Sequence, residues 1–303
     1  MAKLLLTLCL CVLVFLYGTA VGKWNYFPSA SIQSAYNSLM GAQARKPFNY
    51  RFRKVSEGVQ ILVYDETKLS ISCPLQTKRT GVILMFGQSN SANSAEYHYS
   101  VNELPNIFNY FDGECYQASS PLLGATNLGG EWITRTAHHL IKNGTYDEVV
   151  LISTGIDGSH IAAWTSGNAL NYLLQEVVSD VLIVYSLTDV IWHQGESDLI
   201  WGTSSDNYIS AFLAIRGDLA RWGVSGPIFM SIASNCANDI YPNEIVSAQR
   251  LLTDVDGIEL GVNTDRLVSA NMRYDGCHFS FEGQEAAAVE LGEIVSDFHF
   301  VGK

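Results

Sequence analysis

The stretch VILMFGQSN, residues 82–90, sets a run of apolar residues directly before a small polar turn. A short apolar run that ends at glycine is typical of a strand buried on both faces of a parallel sheet. The glycine and the polar residues after it require a sharp turn. The stretch therefore predicts an internal strand that carries Ser89 at its carboxyl end, where open α/β sheets bind their ligands.

Further apolar runs alternate with amphipathic helices after residue 80, which predicts a parallel sheet covered on both faces. Residues Tyr208, Phe212, Ile215, Leu219 and Trp222 recur at spacings of three and four and predict the buried stripe of one helix. We therefore predict a three-layer α/β/α sandwich with a mainly parallel, five-stranded sheet. The predicted strands are Val82–Phe86, Glu148–Ser153, Asp189–His193, Ile228–Ala233 and Ile258–Val262, and the predicted helices are Trp132–Lys142, Ala169–Ser179, Tyr208–Trp222, Pro242–Thr253 and Phe281–Phe298.

The part of the chain before this pattern differs in composition. From about residue 23 to residue 80 it is polar and aromatic, with short alternating runs such as residues 58–64. Alternation of this kind is typical of half-buried strands. We predict a small β-rich extension over residues 21–80 and one catalytic domain over residues 81–303.

The first twenty residues have the three parts of a signal peptide. Lys3 is followed by an apolar stretch, residues 4–17, and by the small residues Gly18, Thr19 and Ala20. The stretch is shorter than the roughly 20 apolar residues that cross a bilayer. We predict cleavage near Ala20, no membrane span afterwards, and secretion to the extracellular space, the periplasm or the secretory lumen. An uncleaved anchor is the alternative.

Four cysteines remain in the mature chain, namely Cys73, Cys115, Cys236 and Cys277. An even number in an oxidising compartment predicts disulfides, although four cysteines allow three pairings. We favour a bridge from Cys236 to Cys277, because it would fix the loop before the C-terminal helix. Four free, buried thiols are the alternative.

Charge and cysteine spacing exclude two classes of function. The formal net charge is -12 and the chain has no Lys/Arg run, whereas nucleic-acid binding needs a clustered basic face. The mature chain also lacks the CxxC and HExxH spacings of zinc sites. We predict no nucleic-acid partner, no metal and no cofactor.

Three residues offer the chemistry of a serine hydrolase. A serine hydroxyl such as that of Ser89 needs a base that is oriented by a third group. The sequence DGCH, residues 275–278, supplies Asp275 and His278 in one loop near the C-terminus. Two structural alternatives remain open, since Ser89 could cap a helix and Asp275 could form a surface turn.

The motifs resemble one superfamily. The chain lacks the G-x-S-x-G turn of α/β-hydrolases. The stretches FGQSN (86–90), WHQGESD (192–198) and DGCHFS (275–280), in this order, resemble the SGNH hydrolases. They are most similar to the branch of sialate O-acetylesterases and acetylxylan esterases, like carbohydrate esterase family 6, and residues 123–131 and 158–164 are also similar to it. The resemblance implies a flavodoxin-like fold from about residue 81 onward.

The resemblance also implies a role for each residue of the motifs. Ser89 would be the nucleophile, His278 the general base and then acid, and Asp275 the group that orients His278. The oxyanion hole would use the N–H of Ser89, the N–H of Gly129 or of its neighbour Gly130, and the side-chain amide of Gln194. Supporting roles fall to Gln88, Asn90 and Glu196, and we expect Glu196 to brace the nucleophile loop through contacts such as one with Asn90.

Together these roles imply a serine esterase that removes short acyl groups, chiefly O-acetyl, from a sugar or glycan through an acyl-enzyme. Two alternatives are an inactive carbohydrate-binding protein on the same scaffold and a lipase or thioesterase of the same fold. His160 departs from the small or hydroxylated residue that this branch usually has, which implies a different substrate pocket. Trp132, Trp164 and Trp201 could each stack on a sugar, although we expect core packing for all three.

Overall fold

A computed structural model of the protein describes residues 49–100, 106–236 and 243–301. The predicted signal peptide, residues 1–20, and the first part of the predicted extension lie outside the described residues. The strands are β1 (Tyr50–Ser56), β2 (Val59–Asp65), β3 (Ser70–Ile71), β4 (Thr80–Gly87), β5 (Ile107–Phe111), β6 (Glu114–Gln117), β7 (Glu148–Gly155), β8 (Asp189–His193), β9 (Ile228–Ile232) and β10 (Ile258–Asn263). The α-helices are α1 (Ile133–Lys142), α2 (Ala169–Val184), α3 (Glu196–Trp201), α4 (Ser205–Arg221), α5 (Glu244–Leu252) and α6 (Phe281–Val301).

Eight of the described strands form one sheet in the order β10-β9-β8-β4-β7-β5-β6-β3. The strands from β10 to β5 pair in parallel, and β6 and β3 add to one edge in antiparallel fashion. The mainly parallel sheet is confirmed, but the predicted number of five strands is wrong. The missed strands are short, and β5 and β6 are joined by Asp112 and Gly113, both with positive φ, as a tight hairpin turn requires.

The order of the five predicted strands shows where a ligand-binding crevice lies in the sheet. Numbered along the chain as β4, β7, β8, β9 and β10, they have the order 2-1-3-4-5 of flavodoxin-like sheets. After β7 the chain crosses to the other side of β4 to form β8, so a crevice opens at the carboxyl ends of β4 and β8. Ligands of such sheets bind in this crevice.

The β4 strand shows why the fold has three layers. All of its residues are buried, and successive side chains point to opposite faces of the sheet. Ile83 and Met85 pack with α1 and α6 on one face, whereas Leu84 and Phe86 pack with α2, α4 and α5 on the other. The predicted stripe on α4 is buried from Tyr208 to Leu219.

The helices agree with the sequence except for α3. The five predicted helices are present with their ends shifted by a few residues, although Pro242 lies outside the described residues. The α3 helix was not predicted, because its acidic and polar start gives no apolar periodicity. None of the described helices combines the length and apolar character that a membrane crossing needs.

Two disulfides cross-link the domain. Cys236 pairs with Cys277, as predicted, and Cys73 pairs with Cys115. The alternative of four free thiols is therefore wrong. Two structural disulfides agree with the exported location that the sequence predicts, since disulfides persist in oxidising compartments.

The described part of the extension is β-rich, as expected. Strands β1 and β2 form a separate antiparallel hairpin. Leu62 is fully buried, its N–H donates to Ala125 O at 2.8 Å, and its carbonyl accepts from the Gly124 N–H at 2.9 Å. The hairpin therefore packs against the segment that precedes the Gly129–Gly130 stretch.

Candidate active site

The turn after β4 is forced by close contact between two backbones. Gly87 has a φ of +135°, and a Cβ at this position would lie 2.0 Å from His193 O. The Gln88 N–H donates to the same carbonyl at 3.0 Å. Ser89 then opens a single 3-10 turn, Ser89–Ser91, so it does not cap an α-helix. Only a glycine fits here, and its conformation places Ser89 at the crevice.

The side chain of Asn90 joins the three motif stretches. Its Nδ2 donates to Glu196 Oε1 at 3.1 Å and lies 3.3 Å from Cys277 O. The expected contact between Glu196 and Asn90 is thus present. Burial raises the pKa of the Glu196 carboxyl. One amide therefore holds together the end of β4, the start of α3 and the loop of residues 273–279, which we call the histidine loop.

Within the histidine loop, Asp275 both makes the turn and holds the imidazole. Its Oδ1 accepts the N–H groups of Cys277 at 2.9 Å and His278 at 2.7 Å. Its Oδ2 lies 2.7 Å from His278 Nδ1. Burial acts to raise the pKa of Asp275, but the hydrogen bonds from His278 and Cys277 outweigh it and hold the pKa below its usual value. The carboxyl is therefore ionised at neutral pH.

A buried arginine shapes the same loop. Arg273 donates to Leu267 O and Thr264 O, both at 2.8 Å, and to Cys277 O, and its guanidinium lies 4.5 Å from the centre of the Phe279 ring. Burial lowers the pKa of Arg273. Sequence reasoning missed this residue, because nothing in its neighbours shows that the guanidinium is turned inward.

The nucleophile and base candidates come from adjoining loops. Among the described residues no hydrogen bond joins the Ser89 hydroxyl to His278. Their chain neighbours do meet, through the contact of Asn90 with Cys277 O. Free enzymes often hold the bond between nucleophile and base long and tighten it when substrate binds. Direct contact between Ser89 and His278 therefore stays a prediction.

The backbone donors near Ser89 differ from the expected set. The Gly129 N–H donates to Asn93 O at 2.8 Å, and the Gly130 N–H donates to Ala95 O at 2.6 Å. Neither N–H is free to bind an oxyanion in this structure. In the described part of the chain, the N–H groups of Ser89 and Gly158 donate to no protein acceptor.

Gln194 also has partners other than those expected. Its Nε2 donates to Asp198 Oδ2 and lies 3.2 Å from both Gln88 Oε1 and Ser159 O. The side chain has no exposed surface. Three acceptors already surround two N–H groups, so in this structure Gln194 cross-links the loops. Its expected place in the oxyanion hole stays a prediction.

Gln88 supports the neighbouring turn. Its Oε1 accepts the N–H of Ser197 at 3.0 Å and the N–H of Gly195 at 3.3 Å. Ser159 ties in the loop after β7, because its hydroxyl lies 3.3 Å from Gly87 O. The loops after β4, β7 and β8 are therefore held against one another by side chains.

The remaining aromatic candidates separate into two groups. Trp132 and Trp164 are fully buried, as expected, but Trp201 is 73% exposed, so the expected core packing is wrong for Trp201.

His193 is buried and its Nε2 lies 3.0 Å from Thr264 Oγ1. Burial, aided by Arg273, lowers the pKa of His193 to about 3, which leaves it a neutral core histidine.

A flavodoxin-like sheet with a Gly-Gln-Ser-Asn turn at its switch point defines an SGNH hydrolase. The chain belongs to the family described as "Carbohydrate esterase, sialic acid-specific acetylesterase", whose model matches residues 79–297. Membership confirms the predicted enzyme class, a carboxylic ester hydrolase of the carbohydrate O-acetylesterase kind. No curated protein matches the chain.

Solved structures share the fold at low identity. A protein of Arabidopsis thaliana has a TM-score of 0.57 and 17% identity over 73% of this chain and 100% of its own. NanS has a TM-score of 0.54 and 14% identity over 76% of this chain and 99% of its own. A carbohydrate acetylesterase from Xanthomonas citri has a TM-score of 0.50 and 16% identity over 74% of this chain and 57% of its own. At these identities the likeness shows the fold alone.

Proposed function

We propose that the protein hydrolyses O-acetyl esters of sugars through Ser89, His278 and Asp275 by way of an acyl-enzyme. The observation that carries the proposal is the 2.7 Å contact between Asp275 and His278 in a loop that Asn90 fastens beside Ser89. The Ser89 residue is only 3% exposed, yet its hydroxyl has no hydrogen-bond partner among the described residues. A hydroxyl left free at a crevice is available for chemistry.

In the first step His278 Nε2 takes the Ser89 proton while Ser89 Oγ attacks the acetyl carbonyl carbon. The carbonyl oxygen becomes an oxyanion, and the resulting tetrahedral intermediate collapses as His278 returns the proton to the departing sugar oxygen. In the second step His278 takes a proton from water, which attacks the acetyl-serine; the intermediate then collapses to release acetate as His278 returns the proton to Ser89 Oγ. Asp275 keeps Nδ1 protonated, so that Nε2 is the basic nitrogen.

For the oxyanion we propose the N–H groups of Ser89 and Gly158. Both lack a protein acceptor in the described part of the chain, whereas the N–H groups of Gly129 and Gly130 are occupied. Gly158 follows β7, and β7 pairs in parallel with β4 so that Gly155 lies beside Gly87. The two donors therefore come from neighbouring strand ends, and two such N–H groups are the usual content of an oxyanion hole.

Ser89→Ala tests the nucleophile. We expect kcat for 4-nitrophenyl acetate to fall by about 10³-fold or more, because the other hydroxyl of this turn, that of Ser91, already donates to Gln88 O. Thermal unfolding should change little, since the hydroxyl makes no structural hydrogen bond. Ser247→Ala, on the exposed surface of α5, is the matched control and should retain full activity.

A fluorophosphonate probe gives an independent measure of the same serine. The wild-type protein should be labelled and Ser89→Ala should not, whereas an inactive carbohydrate-binding protein would not be labelled in either form. Retained hydrolysis by Ser89→Ala would overturn the proposal. Faster hydrolysis of long-chain than of acetyl 4-nitrophenyl esters would identify a lipase instead.

A further inference from the structure

A half-buried histidine and an exposed tryptophan form a stacked pair on the loops of the candidate active site. The rings of His160 and Trp201 stack with their centroids 5.3 Å apart and their planes 4° apart. Trp201 nevertheless keeps 73% of its surface exposed and belongs to neither hydrophobic core cluster. Tryptophan is enriched at binding interfaces, where its large ring buries much surface and its N–H meets a polar partner. The stack holds the indole in one orientation before any ligand arrives.

Both rings stand on the network that builds the site. His160 follows Ser159, whose hydroxyl contacts Gly87 O and whose carbonyl lies near the Gln194 amide. Trp201 ends α3, and Asp198 of that helix accepts the Ile161 N–H at 2.7 Å. The pair is therefore fixed to the same loops that place Ser89. A ligand on the pair would contact loops that are joined to the turn of Ser89.

A groove continues from His160 toward the N-terminal hairpin. It has a volume of about 470 Å³ and runs between residues 156–160 on one side and Ser56 and Val59 of the hairpin on the other. This volume falls in the range of small-molecule sites, about 300–1,000 Å³. The hairpin, whose role could not be predicted from the sequence, thus forms one wall of the groove.

The charge of the groove distinguishes between classes of sugar. Its described lining contains polar residues and the exposed Asp157, but no Lys or Arg. The adjoining groove, which shares Val59, Ile156 and Asp157, also has no Lys or Arg in its described lining. An anionic sugar would place its carboxylate near Asp157 without a basic partner, at an electrostatic cost. A neutral pyranose has no such cost, and its apolar C–H face can pack on an indole.

We infer that a neutral pyranose residue of the glycan stacks on the His160–Trp201 pair beside the acetyl ester that is cleaved. The inference rests on the proposed esterase function and adds the substrate class. It makes neutral acetylated glycans better substrates than acetylated sialic acid. Remote binding of this kind raises kcat/KM for the glycan and leaves small aryl esters unaffected.

The test measures acetate release from acetylated xylo- and manno-oligosaccharides, from O-acetylated N-acetylneuraminic acid and from 4-nitrophenyl acetate. We expect a neutral oligosaccharide to give the highest kcat/KM of the sugar substrates. Trp201→Ala should lower that value by about tenfold and leave 4-nitrophenyl acetate within about twofold. His160→Ala should also lower kcat/KM for the oligosaccharide, because the indole of Trp201 loses the ring that it stacks on.

The control is Ile200→Ala, which removes the neighbouring exposed side chain of α3. It should leave kcat/KM unchanged for both the oligosaccharide and 4-nitrophenyl acetate. The inference is overturned if acetylated sialic acid is the better sugar substrate, or if Trp201→Ala leaves the oligosaccharide unchanged or slows both substrates equally. Failure of the wild-type protein to hydrolyse 4-nitrophenyl acetate would instead contradict the esterase proposal itself.

Discussion

At the scale of single residues, Asp275 combines two roles that the sequence presented as alternatives. One carboxylate oxygen accepts two backbone N–H groups and makes the turn, and the other contacts His278 Nδ1. A carboxylate has enough lone pairs for all three contacts. The turn thus brings the imidazole to its orienting group without a separate acid elsewhere in the chain.

Asp275→Asn separates the two roles. The amide oxygen can still accept the backbone N–H groups, but the amide nitrogen cannot accept a hydrogen bond from Nδ1. We expect kcat for 4-nitrophenyl acetate to fall by about 10²–10⁴-fold, with little change in the temperature of thermal unfolding. Asp112→Asn, in the exposed hairpin turn, is the control. A kcat within about threefold of the wild-type value would remove Asp275 from the proposed triad.

At the scale of elements, the histidine loop is held from three sides. Cys277 is bonded to Cys236, its carbonyl accepts from Arg273, and Asn90 reaches the same carbonyl. The second disulfide, from Cys73 to Cys115, instead fastens the segment before β4 to β6. The two bridges therefore differ in what they hold.

Removal of each disulfide gives a matched pair of variants. The bridges span separations of 42 and 41 residues, so loop closure predicts nearly equal losses of stability, about 4 kcal/mol each. We expect Cys73→Ser with Cys115→Ser to lower the unfolding temperature while kcat is retained. Cys236→Ser with Cys277→Ser should lower both, because the imidazole is no longer held. Thermal unfolding and kcat, measured below both transitions, provide the readouts.

Equal effects of the two double variants on kcat would contradict a positioning role for the bridge at Cys277.

Three elements could not be predicted from the sequence. Strand β6 and helix α3 are short, and strand β5, although as long as β8 and β9, carries Asn109 at its centre. Local patterns predict a buried element only when it is long or continuously apolar, so these three elements were missed.

At the scale of the whole molecule, His193 links folding to pH. Its folded-state pKa is about 3, whereas an exposed histidine has a pKa near 6.5. Between these values the unfolded chain binds a proton and the folded chain does not. Stability contributed by the neutral imidazole is therefore present above about pH 6.5 and is lost as the pH falls toward 3.

His193→Gln tests this linkage, because the amide can still bond to Thr264 but does not titrate. Between pH 7 and pH 5, His193 should account for about 2 kcal/mol of the loss in unfolding free energy. The unfolding free energy can be measured by urea denaturation at pH 7 and at pH 5. Its decrease between the two pH values should be smaller in the variant than in the wild-type protein by that amount. Buried Glu131, Glu196 and Asp265 have raised pKa values and act in the opposite direction, and all three remain in the variant.

If the decrease in unfolding free energy between pH 7 and pH 5 is the same in both proteins, the imidazole is protonated inside the folded protein.

Much of the molecule follows from the sequence alone. The apolar run before Ser89, the order of the long strands and helices, and the three-residue spacing from Asp275 to His278 are local patterns. They depend on backbone geometry within a few residues, so they could be predicted without coordinates.

Only the tertiary structure decided which polar groups are free and which aromatic rings are exposed. The N–H of Gly129 is occupied and that of Gly158 is not, the Gln194 amide meets Gln88 and Ser159 from other loops, and Trp201 lies at the surface. Each of these outcomes depends on a partner from a distant part of the chain. The sequence determined which residues can react, and packing between distant segments determined which of their atoms can reach a substrate.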